Sequence, residues 1–428
     1  YTPFSFDEGT YSPRGSENAP AGLIERGHPW VRPDRFTKGL EALSPGEPVI
    51  LGDERGRTIA AALADPAAPV CARVYARDPQ LAFDPAAALR KAWSRRGRFH
   101  HDRQTDCYRI VHGEADGLPG LRVERHADVL LVLVLADCAA TAVDPVCAAL
   151  AELMPAARLV VREHRDDLRR EAVATRLVGG ALPAEETTVE GCEFGVVLPL
   201  RPFAGLATGI YVDQRGTRRW LRPQAAGRRV LNLFAYTGLF SLSLLQAGAA
   251  SAVDIDLSAP ALARAQEAAT RNRLAERYRQ HHADCLAFLA SDTASYDLII
   301  CDPPTAAQGG EAGWLSRRDL PRLLALALPR LAPGGMLVAC SNTLGGKPLD
   351  LEALLRTAAH DTGIATVPIA APELDPDIPQ IKGFPEGRPF RTAVVKRCWA
   401  GRYEPRGAFV SRGGCRAARR QPAPSTGE

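Results

Sequence analysis

The sequence lacks the features that would indicate a metal-binding, disulfide-rich or membrane protein. Its ten cysteines include no C-x-x-C pair, so neither a zinc site nor a compact disulfide framework is predicted. The longest apolar run, "VLLVLVLADCAA" from Val129, is too short to span a bilayer. The first twenty residues are polar and lack the apolar segment of a signal peptide. We therefore expect a cytoplasmic protein with no metal and no membrane partner.

Lysine is scarce as well, because only five of the 53 basic residues are lysines. The net charge is +4, which does not by itself demand a nucleic-acid partner. With 46% hydrophobic and 24% charged residues the composition is that of a globular protein. A length of 428 residues predicts two or three domains.

Changes of pattern along the chain predict five segments. Short strand signals such as "GEPVILGDERGRTIAAALAD" indicate a small β-rich domain, which mixed strand and helix signals follow. After Gly227, short apolar strands alternate with helical stretches, which is typical of a parallel sheet with helices on both faces. The predicted segments are a disordered lead (1–20), the β-rich domain (21–80), an α+β domain (81–198), a doubly wound α/β domain (199–398) and a basic disordered tail (399–428).

The first strand–loop–helix unit of the α/β domain has the pattern of a cofactor site. In "VLNLFAYTGLFSLSLLQAGAASAVDID" a buried strand ends at a tight Tyr236-Thr237-Gly238 turn, at the sheet edge where such folds bind ligands. Asp256 follows about 20 residues later, where a carboxylate can accept hydrogen bonds from ribose hydroxyls. Since no complete G-x-G-x-x-G is present, S-adenosylmethionine fits better than a dinucleotide. A doubly wound domain with a chance acid is the alternative.

Two later strands also end in acids. Asp284 follows the third strand, where it can accept the adenine amino group or simply cap the next helix. "YDLIICDPPT" ends in Asp302, and Pro303 and Pro304 make a rigid loop without N–H donors that can hold a carboxylate against a planar base. Three acids at one sheet edge strengthen the prediction of a methyltransferase site.

Cys340, in "MLVACSNTLGG", ends the fifth apolar strand of this domain. A cysteine there is a small core side chain or a nucleophile at a strand tip. If strands four and five are neighbours, Cys340 lies beside Asp302. Cys301 is the poorer candidate, since it precedes Asp302 directly and points to the other strand face.

At this point the sequence resembles the ribosomal RNA large-subunit methyltransferase I family. The residues that carry the resemblance are "NLFAYTGLFSLSLLQAGAASAVDIDLS", "DPP" and "ACSN", together with "HGEADGLPGL" and "TGIYVDQRGTRRWL" upstream. It extends from about Gly22 to Arg397. It implies a PUA domain, which is an RNA-binding β-barrel, followed by an α+β linker domain and a class I (Rossmann-like) methyltransferase domain.

The resemblance also implies an activity, methyl transfer from S-adenosylmethionine to C5 of a cytosine in 23S ribosomal RNA. By position, Cys340 matches the family's nucleophile, and Asp302 lies between the cofactor and the target base. The implied cofactor-binding residues are Phe234, Tyr236, Thr237, Gly238, Asp256, Asp284 and Asp302. The RNA is the expected partner, and a homodimer is left open.

This sequence departs from the family pattern at two places. The usual Gly-Gln-Lys-Thr-Gly is replaced by residues 205–209 without a lysine, and the Lys-Phe after Asp-Pro-Pro is replaced by Thr305-Ala306. "SNTLGG" after Cys340 is also similar to the related guanine N7 methyltransferase domain. Guanine N7 methylation therefore remains an alternative, as do an RNA-binding assembly factor with an inactive domain and a small-molecule methyltransferase.

The substrate side of the predicted site consists of Pro303 and Pro304 with two basic residues of "DQRGTRRWLRP", Arg215 and Arg219. These arginines can face RNA phosphates or carboxylates at a domain interface. Aromatic and basic residues also alternate in "WSRRGRFHHDR" (93–103), which predicts an RNA-stacking surface or a solvated helix face.

Overall fold

We describe a computed structural model of the chain, which covers the residues 3–4, 20–33, 37, 39–53, 55–164, 174–205, 207–307, 313–342, 348–369, 371–388 and 390–399. Most of the predicted lead (1–20) and nearly all of the predicted tail (399–428) lie outside these residues. Within the lead, Pro3–Phe4 is a two-residue strand that pairs in parallel with residues 50–51.

The N-terminal part is a five-stranded sheet, as the strand signals predict. Its order across the sheet is Pro3–Phe4, Pro48–Gly52, Thr58–Ala64, Ala72–Ala76 and Trp30–Val31. The α-helix Pro20–Glu25 and the 3₁₀ helix Leu40–Ala42, which the sequence did not indicate, complete it. The small core of this N-terminal part includes Ile24 of the α-helix together with Val49, Leu51 and Val74.

The middle part is a second five-stranded sheet with helices on one face. Its order is Ala174–Leu177, Arg158–Glu163, Val129–Val134, Leu121–His126 and Cys107–His112. The helices are Pro85–Arg95, Gly97–His100 and Val143–Leu153, with 3₁₀ turns at Gly113–Asp116 and Asp137–Ala142. The strand "VLLVLV" is buried throughout because it is covered on both faces: Leu130 and Val132 pack under the helices, while Val129 and Leu131 join the core of the C-terminal part.

Two elements lead into the C-terminal sheet. The first is a hairpin of the strands Val189–Glu193 and Val196–Leu200. The second is the short helix Arg215–Leu221, with 3₁₀ turns on either side at Val212–Gln214 and Arg222–Gln224. The seven strands of that sheet are β1 (Arg229–Leu233), β2 (Ser251–Asp256), β3 (Tyr278–His282), β4 (Tyr296–Cys301), β5 (Leu331–Asn342), β6 (Thr366–Ile369) and β7 (Phe390–Arg397). Its helices are α1 (Leu239–Gln246), α2 (Ala259–Arg271), α3 (Cys285–Ser291), α4 (Ser316–Ala327) and α5 (Leu351–Thr362). Shorter pieces are the 3₁₀ turns Ala275–Arg277, Leu328–Arg330 and Pro385–Gly387 and the ladder of Ala306–Ala307 with Trp314–Leu315.

The strand order is β3-β2-β1-β4-β5-β7-β6, with β1 to β5 paired in parallel and β7 antiparallel to both of its neighbours, β5 and β6. This confirms the predicted doubly wound fold, in which ligands bind at the carboxyl ends of the strands. Strands four and five are neighbours, as predicted. None of the helices among the described residues has the length and apolar character to cross a membrane.

Alternation along β4 and β5 divides their side chains between two cores. Ile300 and Cys340 belong to the core on one face of the sheet, whereas Cys301 and Ala339 belong to the core on the other. Cys301 is paired with Ala339 in the ladder, so Cys340 comes next to Asp302 and both side chains point to the same face. Cys301 therefore points away from Cys340, as the sequence predicted. The sequence predicted that Cys340 ends this strand, but β5 continues to Asn342 because Ser341 and Asn342 still pair with β7.

Candidate active site

A cavity of about 1470 Å³ lies at the carboxyl ends of β1, β2, β4 and β5. Eight of the predicted site residues line it: Phe234, Tyr236, Thr237, Asp256, Asp284, Asp302, Pro303 and Pro304. A volume above the range of about 300–1,000 Å³ for single small-ligand sites leaves room for a cofactor together with part of a second substrate.

The loop between β1 and α1 has a strained backbone. Phe234 and Tyr236 have φ values of 58° and 53°, in the left-handed region that non-glycine residues rarely adopt. The carboxylate of Asp256 holds this loop, because its Oδ2 accepts a 2.7 Å hydrogen bond from the Tyr236 amide and its Oδ1 accepts one from the Ser258 amide. Each oxygen keeps a further lone pair with which it can accept a ribose hydroxyl.

Asp254 is a buried acid behind this loop that the sequence analysis missed. It accepts hydrogen bonds from Asn232, from the hydroxyl of Ser241 and from the Tyr278 hydroxyl at 2.6 Å. Burial raises its pKa to about 6 despite these donors. A Cβ at Gly238, where φ is 71°, would lie 2.5 Å from Asp254 Oδ2. Gly238 does not line the cavity, and its role is to let the start of α1 pack directly against this acid.

Asp284 caps a helix, which is one of the two roles considered for it, and contact with adenine stays a prediction. Its Oδ1 caps α3 by accepting hydrogen bonds from the amides of Leu286 and Ala287 at 2.9 Å each, and its side chain also lines the cavity. Beside it, the rings of Phe234 and Trp314 lie 4.6 Å apart and form an aromatic wall. Trp314 was not predicted, since only the fold brings it to the loop after β1.

The Asp-Pro-Pro loop is fixed from two sides. The carbonyl of Pro304 accepts hydrogen bonds from Trp314 Nε1 at 2.8 Å and from the Ser316 hydroxyl at 2.7 Å. The hydroxyl of Thr305 donates to the carbonyl of Asn342 at the tip of β5. Thr305, which replaces a basic residue of the related family, thus ties the loop after β4 to the strand that carries Cys340.

Asp302 is held by a neighbour that the sequence did not reveal. Gln214 Nε2 donates a 2.7 Å hydrogen bond to Asp302 Oδ2, and Gln214 also lines the cavity. Burial and the negative charge of Asp213 raise the pKa of Asp302 to about 7, although Arg218 and Gln214 act in the opposite direction. A carboxyl group with a pKa near neutrality can both accept and donate a proton during catalysis.

Cys340 lies beside this pair but does not line the cavity. Its side chain is fully buried, with Sγ 4.0 Å from the Thr392 hydroxyl and the Gln214 side chain in contact with the thiol. Burial, with the nearby charge of Asp302, raises the pKa of the Cys340 thiol well above its ordinary value. The thiol is therefore neutral in this conformation, and Gln214 both contacts it and lines the cavity.

The prediction that Arg215 contacts RNA is wrong, because the side chain is completely buried. It forms ion pairs with Asp375 and Asp377 and donates a 2.7 Å hydrogen bond to the carbonyl of Cys107 in the middle domain. Of the two partners predicted for these arginines, RNA phosphates or carboxylates at a domain interface, Arg215 has the carboxylates. Arg219 does not line the cavity either; it is partly exposed and pairs with Asp375 at 2.7 Å.

We expect Arg215→Ala to lower the free energy of unfolding by about 3–5 kcal/mol, because it leaves the buried Asp377 carboxylate without its ion-pair partner and removes one of the two partners of Asp375. Arg219→Ala removes a more exposed partner of Asp375 and should cost less than about 1 kcal/mol. Urea denaturation of both variants measures the difference. Equal losses would contradict the structural role of Arg215.

The donor set fits S-adenosylmethionine. Asp256 offers acceptors for ribose hydroxyls, and the wall of Phe234 and Trp314 offers a surface for a purine ring. Among the described residues, no cluster of three or more His, Cys, Asp or Glu side chains is arranged to hold a metal ion.

Comparisons with known proteins agree with this geometry. The profile of the S-adenosylmethionine-dependent methyltransferase family matches residues 121–382, and that of a PUA-like domain matches residues 21–77. Among solved structures, "A putative sam-dependent methyltransferase from Streptococcus mutans" is 19% identical with a TM-score of 0.74, covering 88% of this chain and 97% of its own. Another structure, complexed with SAH, has a TM-score of 0.75 at 19% identity over the same shares. These structures share the fold.

Curated relatives are more similar in sequence. The ribosomal RNA large subunit methyltransferase I of Shewanella denitrificans is 30% identical over 395 residues, which is 88% of this chain and 96% of the relative. The ribosomal RNA large subunit methyltransferase of Deinococcus radiodurans is 31% identical over 355 residues, covering 79% and 86%. The chain belongs to the ribosomal RNA large-subunit methyltransferase I family of S-adenosylmethionine-dependent enzymes, with a PUA-like domain ahead of the catalytic domain.

Proposed function

We propose that this enzyme methylates C5 of a cytosine in 23S ribosomal RNA, in the cytoplasm, through a covalent adduct with Cys340. The observation that carries the proposal is the placement of Cys340 and Asp302. They are neighbours on adjacent strands and point to the same sheet face, and the Gln214 side chain contacts both. S-adenosylmethionine supplies the methyl group.

Cytosine needs a nucleophile because C5 by itself is weakly nucleophilic. Attack of the Cys340 sulfur on C6 forms an S–C6 bond and shifts electron density to C5, while N3 takes up a proton. C5 would then bond to the methyl group, and the electron pair of the broken S–CH3 bond would stay on the sulfur of the cofactor. A base removes the C5 proton, the electron pair re-forms the C5–C6 double bond, the thiolate leaves, and N3 gives back the proton that it took up.

Asp302 is suited to the proton transfers of this reaction. Its pKa of about 7 lets it accept the proton of the Cys340 thiol and then donate that proton to N3 of the base. In the proposal, a base that enters beside Asp302 displaces the Gln214 carboxamide, which otherwise contacts the thiol and lines the cavity. Pro303 and Pro304 keep the backbone under the base rigid.

One observation favours a second candidate, guanine N7 methylation. Cys340 is fully buried with a raised pKa, and N7 of guanine carries a lone pair that needs no covalent activation. The same cavity would then hold a guanine edge against Asp302. The two candidates differ in whether the enzyme becomes linked to RNA.

RNA that contains 5-fluorocytidine tests the proposal. Fluorine cannot leave C5 as a proton does, so the adduct should persist and join the protein to the RNA in the presence of S-adenosylmethionine. We expect a band of increased mass on a denaturing gel, and mass spectrometry should place the link at the peptide that contains Cys340.

Cys301→Ala is the matched control, because Cys301 lies one residue before Asp302 but in the core on the other face. This variant should still form the adduct. Methylated guanine without any adduct would favour the second candidate. Cofactor binding without methyl transfer to 23S RNA would instead indicate an RNA-binding assembly factor.

A further inference from the structure

Tyr211 is a large side chain exposed within the cavity. About half of its surface is open to solvent, although most large apolar side chains among the described residues are buried. It comes from the segment before the catalytic sheet, at the start of the 3₁₀ turn Val212–Gln214, and none of the roles described so far uses it. An aromatic ring left open at a functional cavity is a surface on which a planar ligand can stack.

The ring of Tyr211 is held in a fixed place. Its partner is Tyr236, whose ring lies 5.2 Å away, and the Arg264 guanidinium covers the Tyr236 ring at 5.4 Å. The Tyr211 carbonyl accepts a 3.0 Å hydrogen bond from Arg218, which is itself paired with Glu193. This support orders the ring before any ligand binds, so stacking on it costs little conformational entropy.

Tyr211 begins the turn that leads from the loop after β1 to Asp302. Gln214, three residues later in the same turn, donates to Asp302, and the charges of Asp302 and Asp213 act on the Tyr211 hydroxyl. The cofactor end, marked by Asp256, Asp284 and Trp314, has its own exposed apolar residue in Leu257. The exposed side chains of Tyr211 and Leu257 are thus associated with different acids, Tyr211 with Asp213 and Asp302 and Leu257 with the cofactor end.

We propose that Tyr211 is the positioning residue on which the target base of the RNA stacks, with the edge of the base turned toward Asp302. The inference rests on the proposed function only in that the substrate is RNA. Stacking does not distinguish bases, because every base has a π face. Tyr211 supplies an aromatic surface in this cavity that Thr305, directly after Asp-Pro-Pro, cannot provide.

The test compares Tyr211→Phe and Tyr211→Leu on a protein-free 23S RNA transcript. Loss of a base–aromatic stack should lower kcat/KM for RNA about 10- to 100-fold in Tyr211→Leu, while the dissociation constant for S-adenosylmethionine, measured by calorimetry, changes less than about 2-fold. Tyr211→Phe keeps the ring and should restore kcat/KM to within about 3-fold of the original enzyme. A purely structural role would reduce the thermal stability and both affinities together.

Leu257→Ala is the matched comparison at the cofactor end of the cavity. It should weaken the binding of S-adenosylmethionine and leave the KM for RNA nearly unchanged, which is the reverse of Tyr211→Leu. Weakened cofactor binding in Tyr211→Leu would overturn the proposal, as would an unchanged kcat/KM for RNA. If the methylated nucleotide proves to be guanine, the cytosine proposal fails. The opposite effects of Tyr211→Leu and Leu257→Ala on RNA and cofactor still test whether Tyr211 is a stacking surface.

Discussion

Replacement of Cys340 by alanine should abolish methyl transfer to RNA, with a loss in kcat of about 10³-fold or more. Without the sulfur, C5 of cytosine is not activated, and no other described cysteine lies beside Asp302 on the same sheet face. S-adenosylmethionine should bind Cys340→Ala normally, because Cys340 does not line the cavity. Steady-state transfer of a labelled methyl group to 23S RNA, with calorimetry of the cofactor, measures both.

Cys301→Ala controls for the effect of removing a buried sulfur from the same sheet. Both cysteines are completely buried, and each substitution leaves a small cavity of similar size. The two variants should therefore lose similar amounts of stability, while only Cys340→Ala loses activity. Retained activity in Cys340→Ala would contradict the covalent route and favour transfer to guanine N7.

The parts of the site that the sequence predicts well are those set by local pattern. A strand with an acid at or just after its end gives the position of Asp256, Asp284 and Asp302, because all parallel strands of a doubly wound sheet end at one edge. The neighbourhood of Cys340 and Asp302 follows from the strand order together with the alternation of side chains. Each of these inferences needs only the residue at which a strand ends and the sheet face to which a side chain points.

The parts that the sequence could not predict depend on contacts between distant segments. Gln214 and Tyr211 precede the catalytic sheet, and only packing of the domains brings them to Asp302. Basic residues are ambiguous for the same reason. Arg215 is charged, yet carboxylates some 160 residues away compensate it inside the protein.

The aromatic residues of segment 93–103 likewise turn inward. Phe99 is buried, and Trp93 stacks on His100 at 3.8 Å between ring centres. This packing does not match the predicted RNA-stacking surface. Composition shows that aromatic and basic residues alternate there, but it does not show which side of the short helix Gly97–His100 packs against the sheet.

Asp302→Asn should change activity and stability in opposite directions. Asparagine can still accept the hydrogen bond from Gln214, but it cannot relay a proton, so we expect kcat to fall about 10²- to 10⁴-fold. The folded protein should nevertheless become more stable at alkaline pH. The ionised Asp302 carboxylate is disfavoured in the folded state, and the substitution removes that cost.

The pH dependence of this gain follows from the pKa of Asp302, which rises from 3.8 to about 7 on folding. Below pH 4 both states hold the proton, so the substitution has no electrostatic effect. Between pH 4 and 7 the folded protein retains a proton that the unfolded chain has lost, and the stability of the original enzyme falls as the pH rises. At pH 8 the gain of Asp302→Asn should be about 2 kcal/mol, after allowance for water in the open cavity.

Asp297→Asn, on the same strand, should show the opposite sign. The hydrogen bond from Arg229 lowers the pKa of Asp297, so the ionised form stabilises the folded protein above pH 4, and the substitution should cost less than about 1 kcal/mol at pH 8. Urea denaturation of the two variants and the original enzyme at pH 4 and pH 8 gives the change in the free energy of unfolding for each variant at each pH. A loss of stability at pH 8 in Asp302→Asn would show that the carboxylate is ionised at little cost, and would remove Asp302 as the proton relay.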